Sequence, residues 1–180
     1  ASALAQILQG YGIPHAVHGS TTRSNALDAQ VGYETGMLNL FSALSGTDIV
    51  IEATSSALEN TETSYPEQAI IGNEICSFIN RLLKGIEVNK ETLALDVIRQ
   101  VGAGGEFLTH PHTMKHFNNE QWDAALGTRI RREAWEQEGS KDIQAKAKDR
   151  LKEILATHKP KPLEPDVQRK LREIVEKAEM

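Results

Sequence analysis

The sequence predicts an α/β fold, made of consecutive βα units and finished by α-helices. Three observations predict it. Asp48–Ala53 sets three β-branched residues in a row, Ile49, Val50 and Ile51, the pattern of a strand in a parallel sheet covered on both faces. Helix-spaced apolar residues flank that strand on both sides, with polar loops between. Beyond residue 128 the pattern is purely helical. The rhythm is helix–strand–loop–helix–strand–loop–helix.

Each element follows from its residues. Leu4, Ile7 and Leu8 share one face of a helix over residues 2–10, which Gly10 and Gly12 close. Pro14 opens a short strand, His15–Gly19. Asp28 is an N-cap for a helix whose expected buried side is Val31, Leu38 and Phe41, and Gly46 ends it. After the Asp48–Ala53 strand comes a polar loop, Thr54–Tyr65. Ser64 and Glu67 have the spacing of a capping box around Pro66, at the head of a helix carrying Ile71, Ile75, Phe78 and Leu82. Gly85–Val88 is a weak third strand. Asn89 caps a helix running through Leu93 and Val97 to about Val101. Ser140 is expected to cap a helix with Ile143, Ala147, Leu151 and Ile154, and Pro165 starts a last one with Val167, Leu171 and Ile174. Two or three strands cannot close a barrel, which needs eight. A piece of a longer protein is therefore expected.

Composition narrows the function classes. The chain has 180 residues, 39% hydrophobic and 25% charged, with a net charge of −5. Residues 1–128 carry 6 Lys/Arg against 14 Asp/Glu, and residues 129–180 carry 14 against 11. Bases alternate with acids in that tail, as at Arg150, Lys152 and Glu153, which is a solvated helix face and argues against nucleic acid. No apolar run reaches the ~20 residues that span a bilayer. Ala1–Ala5 lacks a basic n-region and is expected to start a helix, not a signal peptide. The lone Cys76 cannot form an internal disulfide and fits a small core side chain. A cytoplasmic setting is expected.

Two loops carry the chemistry, each following a strand. The first offers His18, Ser20, Thr21, Thr22, Arg23, Ser24, Asp28 and Gln30; the second offers Glu52, Ser55, Ser56, Glu59, Asn60 and Glu62. Adjacent parallel strands bring such loops over one mouth, gathering hydroxyls, carboxylates and a histidine suited to a small polar or cationic ligand. The same residue types also fill ordinary loops, and Asp28 is accounted for by capping alone. A third group is His110, His112 and His116. His112 and His116 stand four apart, on one helix face, a spacing that holds zinc. Thr113 occupies the place of the glutamate in an H-E-x-x-H motif and no thiolate is near, so capping and packing are the favoured reading and no metal is expected. Gly102, Gly104 and Gly105 lack dinucleotide-fingerprint spacing and follow a helix. P-loop, G-x-S-x-G elbow and Cys/His nucleophile pair are all missing. Trp122 and Trp135 are expected to pack.

Four segments resemble the trimethylamine methyltransferase family, the corrinoid-dependent methylamine and quaternary-amine methyltransferases. They are Leu27-Asp-Ala-Gln-Val-Gly-Tyr-Glu34, Glu91-Thr-Leu-Ala-Leu-Asp-Val-Ile98, Gly104-Gly-Glu-Phe-Leu-Thr-His-Pro-His-Thr113 and Ile154-Leu-Ala-Thr-His-Lys-Pro-Lys-Pro-Leu163. They occur in the family's order and at its spacing. The resemblance implies the C-terminal portion of a TIM (β/α)8 barrel, residues 1–103, followed by a C-terminal helical extension, residues 104–180. It implies transfer of a methyl group from a tertiary or quaternary amine to the Co(I) corrinoid of a partner protein, with no cofactor bound tightly by this chain itself. In trimethylamine enzymes a pyrrolysine is placed near the Gly19–Asn25 turn. Every residue there is standard, which implies a member without pyrrolysine and a substrate such as glycine betaine. On this reading His18 and Glu52 are the catalytic candidates. Thr22, Arg23, Asp28 and Glu59 bind substrate, with Arg23 meeting a substrate carboxylate. The His110–His116 segment is assigned to the flank of the corrinoid-protein docking surface.

Two other classes fit the residues. One is a non-catalytic scaffold, a homo-oligomer pairing through an open sheet edge and the helical tail. The other is a metal-assisted hydrolase built on His110, His112 and His116. Within the preferred reading, the isolated 180-residue piece is expected to be inactive because most of the barrel mouth is absent.

Overall fold

In the computed structural model, which describes residues 2–179, the chain is mixed α/β, mainly helical, with short strands near its N-terminal end. Ala1 lies outside the described residues. Helix α1 (Ser2–Gly10) ends in a turn where Gly12, at φ +66°, takes the left-handed conformation that glycine allows. Strand β1 (Ala16–His18) follows, then α2 (Ala29–Leu44), then β2 (Ile49–Ile51). β1 and β2 pair in parallel, with Ala16 opposite Ile49, Val17 opposite Val50 and His18 opposite Ile51. This is a βαβ unit, as the sequence predicts, and α2 is its crossover. The Gly19 amide extends the ladder by donating to the Ile51 carbonyl at 3.0 Å, and the His15 amide donates to Asp48 Oδ2 at 3.0 Å. Both ends of the pair are thereby fixed.

Past β2 the chain makes a small antiparallel hairpin, β3 (Ala57–Leu58) with β4 (Thr63–Ser64), inside the stretch expected to be a loop. Helix α3 (Pro66–Leu83) then runs back across α2. Short helices α4 (Lys90–Leu93) and α5 (Leu95–Val101) lead to α6 (Pro111–Glu120) and α7 (Arg132–Gln137). Helix α8 (Ile143–Thr157) packs on α3, and α9 (Pro165–Ala178) ends the described chain. One core holds these layers: Leu27, Val31, Leu58, Ile71, Leu126 and Ala147, with Ile70 and Ile75 against it. Gly72 lets α3 approach closely, since a Cβ there would stand 3.1 Å from the Thr54 Cα.

Several expectations need correcting. The buried face of α2 is Val31, Thr35, Asn39 and Ser42, while Leu38 and Phe41 are exposed. Two of those polar residues bind backbone carbonyls, Thr35 Oγ1 donating to Val31 at 2.6 Å and Asn39 Nδ2 to Ala53 at 3.0 Å, while Asn39 Oδ1 has no partner among the described residues. On α3, Phe78 and Leu82 are likewise exposed beyond Ile71 and Ile79. The Ser64–Glu67 capping box does not form: Tyr65 is the N-cap, and Ser64 is held in β4 with its Oγ 3.2 Å from Ser56 Oγ. Residues 85–88 are irregular, having no strand beside them, and Ile86 and Val88 are exposed. Asn89 does cap, in a reciprocal box with Thr92, but Ala94 at φ 50° breaks the helix into α4 and α5. Asp142, not Ser140, caps α8 by accepting from the Ala145 amide at 2.8 Å, while Ser140 sits at φ 56° in the preceding turn. Val167, Leu171 and Ile174 of α9 are exposed. No helix among the described residues is long and apolar enough to cross a membrane.

Candidate functional site

The two loops after β1 and β2 lie together, joined by backbone. The Asn60 amide donates to the Thr22 carbonyl at 2.9 Å and the Glu59 amide to the Ser24 carbonyl at 3.1 Å. The loop clustering predicted from parallel pairing is therefore present. At its base, His18 ends β1 and Glu52 directly follows β2. Their side chains come within 3.7 Å, Nδ1 to Oε2, and are 64% and 47% exposed. This separation is a loose contact, longer than a hydrogen bond. Glu52 takes φ 57°, a left-handed conformation rare for a residue with a Cβ, so the strand ends abruptly at the carboxylate. Asn39 from α2 and Cys76 from α3 both point at the Ala53 carbonyl, Cys76 Sγ at 3.5 Å, and they anchor the chain just past Glu52. Burial pushes the Cys76 thiol up from its ordinary value.

The remaining candidates divide between scaffold and surface. Thr22 is buried, and its Oγ1 donates to Glu34 Oε2 at 2.6 Å. The Arg23 amide donates to the same oxygen at 3.0 Å, leaving the Arg23 side chain exposed. Asp28 is an N-cap, accepting from the Gln30 amide at 2.9 Å and from Ser24 Oγ at 3.2 Å. Glu59, at φ 51°, accepts from Thr63 Oγ1 at 2.9 Å. Glu34 is absent from the candidates that the loop pattern picks out, although it ends the first family-like segment. Thr22 and then Gln30, whose Nε2 donates at 3.0 Å, hold its carboxyl below the ordinary carboxylate value, with the Arg23 amide adding to them. Its spacing from Gln30, four residues on a helix, signals that one pair but not the bond to Thr22.

The third group rearranges. His110 caps α6, its Nδ1 accepting from the His112 amide at 3.1 Å, which takes it out of the set. His112 and His116 do share a face, with ring centroids 4.4 Å apart. Their neighbour is Glu91 of α4: His116 Nε2 stands 3.2 Å and Lys115 Nζ 2.7 Å from Glu91 Oε1, and His112 Nε2 is 2.9 Å from the Glu91 carbonyl. Lys115 first, and His116 next, hold the Glu91 carboxyl down at about 2. Trp122 packs as expected, its ring 4.7 Å from Phe78 and under the Arg129 guanidinium at 4.9 Å. Trp135 Nε1 donates to the Lys141 carbonyl at 2.8 Å.

This geometry can hold a small cation against carboxylates at the open end of two strands, and known proteins give it a context. The profile of the trimethylamine methyltransferase (MTTB) family matches residues 1–180. The chain belongs to that family. Among its relatives, trimethylamine methyltransferase MttB of Methanosarcina barkeri is 33% identical over 178 residues, 99% of this chain and 35% of the relative. Glycine betaine methyltransferase of Desulfitobacterium hafniense is 32% identical over 174 residues, 97% of this chain and 36% of the relative. A trimethylamine methyltransferase MttB from the same species is 34% identical over 176 residues, 98% of this chain and 35% of the relative. The family member described here thus spans about a third of the length of these relatives. Its family-like segment 27–34 caps and carries the first site loop, through Asp28 and Glu34, and segments 91–98 and 104–113 supply Glu91 and His112, which His116 joins.

Proposed function

We propose that this chain is part of an amine methyltransferase that moves a methyl group from a methylated amine to the Co(I) corrinoid of a separate protein. The observation that carries the reading is the pair His18 and Glu52, exposed side by side at the matched ends of two parallel strands. In this reading β1–α2–β2 forms adjacent units of a TIM barrel, with residues 104–180 as a helical extension. Chemistry then falls at the carboxyl ends of the strands. The substrate is a quaternary amine such as glycine betaine, because residues 19–25 are all standard amino acids and offer no covalent anchor for an amine.

The corrinoid belongs to the partner protein, so this chain has only to leave its mouth open, and the exposure of His18 and Glu52 fits that need. When docked, the corrinoid would supply the nucleophile for the methyl group, and the electron pair of the broken C–N bond would stay on the amine nitrogen. The chain's own work is binding and orientation. Glu52 attracts the ammonium. A bare carboxylate would also stabilise the cationic ground state over the neutral amine that leaves, which opposes reaction. His18, 3.7 Å away, is the neighbour placed to orient that carboxylate. Arg23, with its side chain exposed, meets a substrate carboxylate, and Glu59 adds a second negative group beside the loop. Thr22 and Asp28 act through the loop, holding it in shape.

The test uses the full-length protein that contains this chain, with a corrinoid protein reduced to Co(I) and a panel of trimethylamine, glycine betaine and other quaternary amines. Growth of the methylated-corrinoid absorption with one amine supports the reading and names the substrate. Silence across the panel, with a corrinoid protein proven competent on another methyltransferase, overturns it.

A further inference from the structure

We propose that Glu91, His112 and His116 form a binding site for a divalent transition metal of the zinc type, clamping α4 to α6. The site is independent of the methyl-transfer reading. Among the described residues these three bring one carboxylate oxygen and two imidazole nitrogens within 4.8 Å of one another. Ligands of a tetrahedral zinc lie about 3.3 Å apart, from bonds of about 2.0–2.1 Å. Small side-chain rotations therefore close the set, with water in the fourth position.

Both supporting elements are fixed before any metal arrives. The reciprocal Asn89–Thr92 capping box sets the first turn of α4, with Asn89 Oδ1 and Thr92 Oγ1 each accepting a backbone amide at 2.9 Å, and Glu91 stands within that turn. Pro111 and the His110 cap set the first turn of α6, from which His112 and His116 project on one face. The two imidazoles face each other with centroids 4.4 Å apart, so both rings present a nitrogen toward the Glu91 carboxylate. His116 is mostly buried, at 21% exposure, and the carboxylate it faces supplies the one negative ligand.

Lys115 gives the site its particular character. Its ammonium sits 2.7 Å from Glu91 Oε1, where a metal would bring positive charge. Lys115 is thus a tethered cation that holds the carboxylate when no metal is present. On binding, the metal takes the Glu91 oxygen and one nitrogen of each imidazole. Lys115 swings to solvent, and each imidazole keeps its N–H on the nitrogen that does not bind the metal. Removing the lysine charge should tighten binding, whereas in an ordinary salt bridge it would only loosen the α4–α6 contact.

The test is a Zn2+ titration of chelator-stripped protein against a chromophoric chelator, repeated with Co2+ for its visible spectrum. One equivalent bound below about 1 μM is expected, with an intense tetrahedral Co2+ spectrum and a higher Tm on Zn2+ addition. His112→Ala or His116→Ala should weaken binding by about 100-fold, and Lys115→Met should strengthen it. His158→Ala, a surface histidine outside the set, should leave it unchanged. The proposal is overturned if the unmodified protein binds no stoichiometric metal. It is equally overturned if binding survives His112→Ala and His116→Ala, or if Lys115→Met weakens it. The Co2+ spectrum and Zn2+-dependent Tm of the unmodified protein decide the matter even where a histidine variant does not fold.

Discussion

Thr22 Oγ1 donates to Glu34 Oε2 at 2.6 Å, so the turn after β1 is held from α2 by a carboxylate in the second turn of the helix. The same oxygen takes the Arg23 amide, and Gln30 binds the other oxygen. Glu34→Ala should leave buried Thr22 without its partner and cost about 1–3 kcal/mol, measured by denaturant unfolding. Glu34→Gln keeps an acceptor and should cost less. The pH dependence has a definite sign. In the folded chain the Glu34 carboxyl lies below its ordinary value of 4.5, so its contribution is complete above that value and is lost as pH falls through the folded one. Glu34→Gln should flatten the acid limb of the Tm–pH curve; an unchanged limb would remove Glu34 from the acid response.

Glu52 binds the ammonium in the proposed reaction, and replacing it tests that role without disturbing the core. Glu52→Gln removes the charge and keeps the shape. In the full-length enzyme it should lower kcat/KM for a quaternary amine by about 10–100-fold, the worth of a hydrogen bond or contact to a charged group. The loss should fall mainly in KM. Glu52→Gly separates backbone from charge: φ 57° suits glycine, so this variant should unfold no more easily yet share the kinetic loss. Equal kcat/KM in both variants and the parent would take Glu52 out of the site.

Gly19 brings the first loop tightly against α2 and β2 below it. A Cβ there would run into the Asn39 carboxamide and the Val50 side chain. Gly19→Ala should therefore push Asn39 off the Ala53 carbonyl and cost about 1–3 kcal/mol by overpacking. Because Ala53 follows Glu52, the substitution should also impair turnover more than Tm alone accounts for. A Tm within about 1 °C of the parent, well under the shift that ~1 kcal/mol produces, would mean that the packing relaxes around the methyl group.

Local chemistry explains what the sequence made legible. Asp28, Asn89, Pro66, Pro111 and Pro165 act within one turn of their own backbone, and caps at Asp28 and Asn89 and helix starts at Pro66 and Pro165 were all readable. Ile49–Ile51 were readable because β-branching in a run has few other homes. The buried side of α2 was not. Its contact face is Thr35, Asn39 and Ser42 beside Val31, and the Val31 and Ala53 carbonyls accept from Thr35 and Asn39, while Leu38 and Phe41 stand exposed. Periodicity of apolar residues points the wrong way there. In the site, the strand ends gave His18 and Glu52, but Glu34 depends on a long-range bond to Thr22 and Glu91 on a contact 25 residues away at His116. Neither distance is written in local pattern.

Glu74 gives the last prediction. It is a buried carboxylate on α3 whose two oxygens accept from the Leu126 and Gly127 amides, the latter at 2.8 Å, across more than 50 residues of chain. Leu126 belongs to the core and Gly127 precedes the helical tail, so this side chain ties the βαβ layer to helices α7 and α8 beyond it. A carboxylate is suited to two converging N–H groups because all its valences accept. Glu74→Gln turns one acceptor into an NH2 group facing an amide donor, and Glu74→Ala leaves two amides with nothing. Both should destabilise by about 2–4 kcal/mol, a range that counts the desolvated amides as well as the lost bonds. Hydrogen exchange distinguishes this from general loosening. The amides of Leu126 and Gly127 should lose protection in Glu74→Gln while those in the middle of α2 keep theirs. Uniform loss across both would mean that Glu74 supports the whole core and not this one junction.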